Sequence, residues 1–215
     1  LDEREAEAVR RVILSGWITQ GPEVAKFEHE FAEHVGAAHA CAVSNCTTAL
    51  HLAMIVAGIK EGDEVICPSM SYVATANSIK YVGAKPVFAE VNPKTYNLDV
   101  VDTERKITPK TKAILLVHQI GMPADIDAFK RLADTYKLKL IEDAACAAGS
   151  AYQTAKIGSH SELVCFSLHP RKVISTGDGG FITTNREDYY QRMKLLRQHG
   201  MSVNDRVRHE SAKVI

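Results

Sequence analysis

The chain has 215 residues, 46% hydrophobic, 24% charged and 7% aromatic, enough apolar material for a sizeable core. Lys+Arg and Asp+Glu each number 26, so the net charge is zero and the basic excess of a non-specific nucleic-acid binder is missing. No apolar run approaches the roughly 18 residues of a spanning helix, and LDEREAEAVRR, charged from its second residue, does not read as a secretory signal.

Apolar periodicity places a helix at 3–15, with Ala6, Val9, Val12 and Ile13 on one face, then a loop SGWITQGP and a second helix at 23–35. A short strand at 41–44 leads into a helix at 47–57. A strand at 64–67, a helix at 74–82 and a strand at 86–91 follow. The apolar strand 113–118 precedes a helix at 126–136 and a strand at 137–144 that ends in acid. Strands at 162–168 and 179–184 and a helix at 186–198 complete the pattern. Strands alternating with helices predict an α/β fold, three layers α/β/α around a mainly parallel sheet. No linker divides the chain, so residues 1–215 read as one domain. The five cysteines, Cys41, Cys46, Cys67, Cys146 and Cys165, form no CxxC pair and no zinc-ligand cluster. An odd number without a framework points to a reducing compartment, the cytoplasm.

Ligands of such sheets bind beyond the carboxyl ends of the strands. Ser44-Asn45-Cys46-Thr47-Thr48 follows the first strand. These small polar residues suit a helix cap, or an anion cradle in which free N–H groups and hydroxyls meet a phosphate. Neither a P-loop nor a GxGxxG is present. Tyr72, after the strand at 64–67, offers an aromatic face or a rim position. Glu142-Asp143 ends a buried strand; the period-two rule points the two carboxylates to opposite sides, so they form no acid/base dyad. Asp143 could hold a cation or cap the next segment. Lys172 follows Ser167-Leu168-His169-Pro170-Arg171 and precedes the glycine-rich turn at 177–180. It is either a surface lysine or, desolvated at the ligand face, a nucleophilic amine.

Together these residues fit pyridoxal 5'-phosphate. That cofactor needs an amine, a carboxylate at its ring nitrogen, an aromatic face and a phosphate cup. Lys172, Asp143, Tyr72, and Thr47/Thr48 with Ser167 supply them in turn. The segments SNCTTALHLA, PSMSYVATANSI, HQIGMPADIDA, IEDAACAAGSAY and FSLHPRKVISTGDGGFITT resemble, in collinear order, the DegT/DnrJ/EryC1/StrS family of sugar aminotransferases of fold type I.

The resemblance implies a Schiff-base lysine at Lys172, within a Ser167-x-His169-x-x-Lys172 element, and a pyridine-nitrogen partner at Asp143. It implies ring contacts from Tyr72, Ala145 and Cys146, and phosphate contacts from Thr47, Thr48 and Ser167. Cys146 stands where relatives often carry His or Gln, and Asp178 where they more often carry Glu. The implied reaction is transamination of a nucleotide-linked keto sugar, a 4-keto-6-deoxy sugar by default, with an amino-acid donor such as glutamate. The alternatives are a sugar dehydratase, against which Lys172 argues, and a non-catalytic regulator. The neutral charge, the lack of an apolar span and the lack of a Cys/His cluster point to no nucleic-acid or membrane partner and no metal. The family pattern also implies a homodimer with shared sites. It further implies that residues 1–215 are the large cofactor domain, and that a GYNYR-type segment and a smaller domain follow Arg208–Ile215.

Overall fold

The computed structural model describes residues 2–202, so Arg208–Ile215 lies outside the described residues. The first helices are α1 (Glu3–Ser15) and α2 (Pro22–Val35). Next come β1 (His39–Val43), α3 (Cys46–Val56), β2 (Glu64–Pro68), α4 (Val73–Tyr81), β3 (Lys85–Ala89) and α5 (Val100–Arg105). The middle of the chain supplies β4 (Thr111–Val117), α6 (Ile126–Tyr136) and β5 (Lys139–Asp143). It continues through β6 (Ala151–Tyr152), β7 (Ala155–Lys156), β8 (Leu163–Ser167), β9 (Gly180–Thr184) and α7 (Glu187–Arg197).

One seven-stranded sheet runs in the order β1-β9-β8-β5-β4-β2-β3, with β6 and β7 forming a separate small hairpin. Strands β3, β2, β4, β5 and β8 pair in parallel, whereas β9 is antiparallel to both β8 and β1. The mainly parallel sheet is as expected. The reversed strand is not visible in the apolar pattern, because β9 is buried throughout like its parallel neighbours.

Alternation along the strands feeds two cores. On one face Leu115, Ile141 and Ile182 pack with Leu50 and Met54 of α3 and Met193 of α7. On the other, Ile114, Leu116, Phe166 and Phe181 pack with Phe31 of α2 and Phe129 of α6. Phe31 meets the Phe166 and Phe181 rings edge-on, at centroid distances of 5.3 and 4.3 Å, a geometry that aromatic quadrupoles favour. Burying the apolar stripes of α2 and α6 is what holds these short helices in place.

The first helix forms where its periodicity places it, closed by a capping box from Asp2 and Glu5, but none of its residues is buried among the described ones. Three elements lack a readable signal. Helix α5 has only six residues, too short for a periodic stripe, and forms behind the Asp99 side chain, which accepts from the Asp102 N–H at 2.8 Å. The two-residue strands β6 and β7 are shorter than any alternation pattern. Strand β5 starts at Lys139 rather than 137, because Lys137 turns left-handed (φ 55°) to end α6.

The edge strand β1 is clamped from outside. Glu28 of α2 and Arg197 of α7 form an ion pair with side chains 8% and 10% exposed. Glu28 Oε1 accepts from the Ala42 N–H at 2.7 Å, and an Arg197 guanidinium nitrogen donates to the Ala42 carbonyl at 3.1 Å. At the start of β9, Gly180 lies against the first turn of α3. A Cβ there would sit 2.4 Å from the Asn45 carbonyl carbon and 2.5 Å from the Cys46 nitrogen. Gly180→Ala is therefore expected to lower unfolding free energy by about 1–3 kcal/mol, the usual penalty for overpacking, read as a reduced urea midpoint at unchanged m-value.

Candidate active site

The carboxyl ends of β2, β4, β5 and β8 and the first turns of α3 and α4 enclose a cleft of about 320 Å³. Thr47, Tyr72, Asp143, Ala145, Cys146, Ser167, His169 and Lys172 lie on its wall, so eight of the nine residues singled out from sequence converge there. Thr48 does not. Its N–H and hydroxyl are both turned to the Asn45 side chain, at 2.9 and 3.1 Å, because Asn45 is the residue that caps α3. The first-turn N–H groups of Cys46 and Thr47 have no intrahelical acceptor and lie at the positive end of the helix dipole.

Asp143 ends β5 and is 5% exposed. The Thr75 hydroxyl donates to one carboxylate oxygen at 2.9 Å and the Ala145 N–H to the other at 3.2 Å. Burial nevertheless dominates and pushes the carboxyl above its ordinary value of 3.8, with Thr75 and then Ala145 opposing. No cation forms an ion pair with it among the described residues. Glu142, one position earlier, faces away as the period-two rule requires. Its Oε2 lies 2.7 Å from His118 Nε2, both side chains being fully buried. The Ala124 N–H donates to His118 Nδ1 at 3.1 Å, which leaves Nε2 as the ring's donor to Glu142. The His118 backbone N–H donates to the Asp143 carbonyl at 3.1 Å, tying the ends of β4 and β5 together.

Lys172 rides on the loop between β8 and β9. The neck of that loop is closed by bonds at Leu168. Its N–H donates to the Gly179 carbonyl at 2.9 Å, and its carbonyl accepts from the Thr176 N–H at 3.1 Å and the Ser175 hydroxyl at 3.0 Å. Inside the neck, the Lys172 N–H donates to the His169 carbonyl at 2.8 Å, and the His169 N–H donates to the Ser167 hydroxyl at 3.3 Å. The Lys172 amine donates to Cys146 Sγ at 3.2 Å. Tyr72, 75% exposed, is the N-cap residue of α4 and presents its ring at the mouth.

Thr75, His118, Asn45, Arg171 and Ile120 belong to this site and were not singled out from the sequence. His118 directly follows β4, so the strand-end rule applied to polar residues finds it. Thr75 depends on how α4 is rotated against the sheet, which no local pattern encodes. Ile120 holds a left-handed backbone (φ 55°) at the rim, a strained state for a β-branched residue.

The sequence profile of the DegT/DnrJ/EryC1/StrS aminotransferase family matches residues 1–214. The chain belongs to that family. It is 45% identical over 207 residues to the GDP-perosamine synthase of Caulobacter vibrioides, covering 96% of this chain and 56% of that protein. It is 43% identical over 204 residues to a UDP-4-amino-4-deoxy-L-arabinose–oxoglutarate aminotransferase of Shewanella sediminis, covering 95% and 52%. Among solved structures, an aminotransferase from Psychrobacter cryohalolentis superposes with a TM-score of 0.91 at 36% identity, over 100% of this chain and 54% of that one. The fold is that of the fold type I aminotransferases. The chain spans about half the length of the curated relatives it matches.

The environment of Asp143 has a consequence for stability. Its folded-state value lies above the ordinary 3.8. The protonated carboxyl therefore favours the folded chain fully below that value, and this contribution is lost as pH rises through the folded-state value. Above its folded-state value the ionised carboxylate is a net burden on the cofactor-free protein. Asp143→Asn is thus expected to raise the melting temperature of the cofactor-free protein at pH 7 and to change it little near pH 4, as read by thermal denaturation at the two values.

Proposed function

We propose that this chain is the cofactor domain of a pyridoxal 5'-phosphate-dependent aminotransferase that aminates a nucleotide-linked keto sugar, with glutamate as donor. The observation that carries the reading is Asp143, a buried carboxylate without a cationic partner among the described residues, on the wall of the same cleft as Lys172. A protonated pyridine nitrogen is the cation that this acid lacks. The other donors fit the same group: the Tyr72 ring for its face, the first turn of α3 with Thr47 and Ser167 for its phosphate, and the Lys172 amine for covalent attachment. The names of relatives that make GDP-perosamine and a UDP-linked amino sugar support the substrate class, and the oxoglutarate in the second name supports the donor.

When bound, pyridoxal phosphate supplies an electron sink conjugated to the donor's α-carbon. The chain's own residues do the rest. With the group bound, Lys172 would hold it through its amine, and that amine, once displaced by the donor, would serve as the base that takes the proton from the donor α-carbon and as the acid that delivers one to the acceptor carbon in the second half of the exchange. A primary amine can both attach and shuttle a proton; a guanidinium, always charged, can do neither. Asp143 would favour a protonated ring nitrogen by its charge. Thr75 and the Ala145 N–H keep the acid aimed and offset part of the cost of its burial. The hydrogen bonds at Leu168 hold the lysine loop over the cleft. Tyr72 and Ile120 on the cleft wall, and Val173 next to Lys172 in the chain, leave apolar surface uncovered, being 75%, 83% and 78% exposed. This supports a second copy completing the site, a homodimer with shared sites. All five cysteines are free thiols, which supports a cytoplasmic setting. No helix among the described residues is long and apolar enough to cross a membrane.

Full-length protein is expected to trap pyridoxal phosphate on the peptide containing Lys172 after borohydride treatment, and Lys172→Ala to abolish transamination. Trapping on Lys80 or Lys194 instead overturns the assignment. Asp143→Asn should fold and bind cofactor but lose on the order of 10²-fold in kcat, as expected for removing a preorganised charge. Unchanged kinetics would show that another group holds the ring nitrogen. A screen of nucleotide-linked keto sugars with glutamate, read by product mass, identifies the acceptor.

A further inference from the structure

Four of the five cysteines are sealed in the core. Burial pushes the Cys41 thiol up to about 11 and the Cys67 thiol to about 12, and raises Cys46 and Cys165 well above the ordinary 9.0. Such thiols are protonated and inert. Cys146 is not sealed. It is exposed, it lies on the cleft wall, and its sulfur accepts a hydrogen bond from Lys172 Nζ at 3.2 Å. No other lysine is hydrogen-bonded to a sulfur among the described residues. The pair spans two elements that are each fixed at the backbone. Gly121 packs against the Cys146 carbonyl so closely that a Cβ there would lie 2.7 Å from it. Lys172 sits in the loop whose neck is closed at Leu168. A thiol and an amine are thus held in contact at a site open to small solutes.

We propose that Cys146 and Lys172 are a modification site, joined by a reversible sulfur–nitrogen bond when a peroxide enters the cleft. The chemistry balances within the pair and one hydrogen peroxide. The Cys146 thiolate attacks one peroxide oxygen: an S–O bond forms, the O–O bond breaks, sulfur is oxidised and hydroxide leaves. The hydroxide takes a proton from the Lys172 ammonium and becomes water. The neutral amine then attacks the sulfenic sulfur: the S–N bond forms, the S–O bond breaks and a second water leaves. Sulfenic acids condense with nitrogen in this way. An added thiol reverses the linkage by attacking sulfur, releasing the amine and leaving a mixed disulfide that a second thiol resolves.

The consequence rests on the cofactor reading above. The bonded nitrogen is the one assigned to hold pyridoxal phosphate, so the linked protein cannot load cofactor. Conversely, cofactor already attached at Lys172 occupies the nitrogen and protects it. The residue at position 146 thereby makes the empty enzyme peroxide-sensitive and the loaded enzyme resistant.

The test uses full-length protein, as the cofactor-loaded form and after cofactor removal, each treated with hydrogen peroxide, digested and analysed by mass spectrometry. The cofactor-free form should yield one joined species equal to the Cys146 and Lys172 peptides less two hydrogens. Dithiothreitol should dissolve it, Cys146→Ser should not form it, and prior loading should suppress it. Cofactor uptake, followed by absorbance, should be lost in the oxidised protein and return with dithiothreitol, whereas in Cys146→Ser uptake after peroxide should equal that variant's own uptake before it. Recovery of Cys146 as a dimedone-trapped sulfenic acid without the joined peptide, or as an unmodified thiol, overturns the proposal. A joined peptide with cofactor uptake intact upholds the linkage and instead overturns the assignment of Lys172 as the cofactor lysine.

Discussion

The site depends on placing one carboxylate, Asp143, where water cannot solvate it. Removing an ionised acid from water is costly unless hydrogen bonds and charge replace the lost hydration. Two donors, the Thr75 hydroxyl and the Ala145 N–H, replace part of it. What remains is an electrostatic demand for a positive partner, facing a cleft that also holds an amine. Much of the surrounding architecture serves that placement. Strand β5 lies in the interior of the sheet, so its end is covered by neighbours. Helix α4 is set so that Thr75 reaches across to the carboxylate.

The reversed strand β9 is the second determinant. Because β8 and β9 are antiparallel neighbours, the chain returns directly after β8, without a crossover helix. That tight return carries Lys172 back over the cleft. The close contact between Gly180 and the first turn of α3 brings the amide-rich helix end to the same place. A parallel β9 would need a long crossover, and the lysine would be carried away from Asp143.

Much of this was legible in the sequence, and the failures have physical causes. The elements with strong periodicity, α2, α6 and β4, lie within a residue or two of where apolar spacing puts them. Chemistry-bearing residues at strand ends, Asp143 and Lys172 among them, are found by applying one rule about parallel sheets. Thr48 shows the limit. Two adjacent threonines after a strand look equivalent, yet helix phase turns one to the cleft and commits the other to the Asn45 cap. Thr75 and the Glu142–His118 pair were hidden for a related reason: their partners lie on other elements, and only packing brings them together. The direction of β9 was hidden because burial on both faces looks the same for either polarity.

The clamp on Ala42 matters for how the molecule meets others. β1 is an edge strand, and edges present unpaired donors and acceptors that recruit foreign strands. At Ala42 the N–H and carbonyl turned away from β9 are both taken, one by a carboxylate and one by a guanidinium. The pair imitates the hydrogen-bonding face of a neighbouring strand while belonging to two helices. An incoming β-strand would have to break a buried ion pair before adding to the sheet there. Solubility of this edge is therefore tied to the docking of α7, and a chain in which α7 frays would gain an adhesive margin before it lost its core.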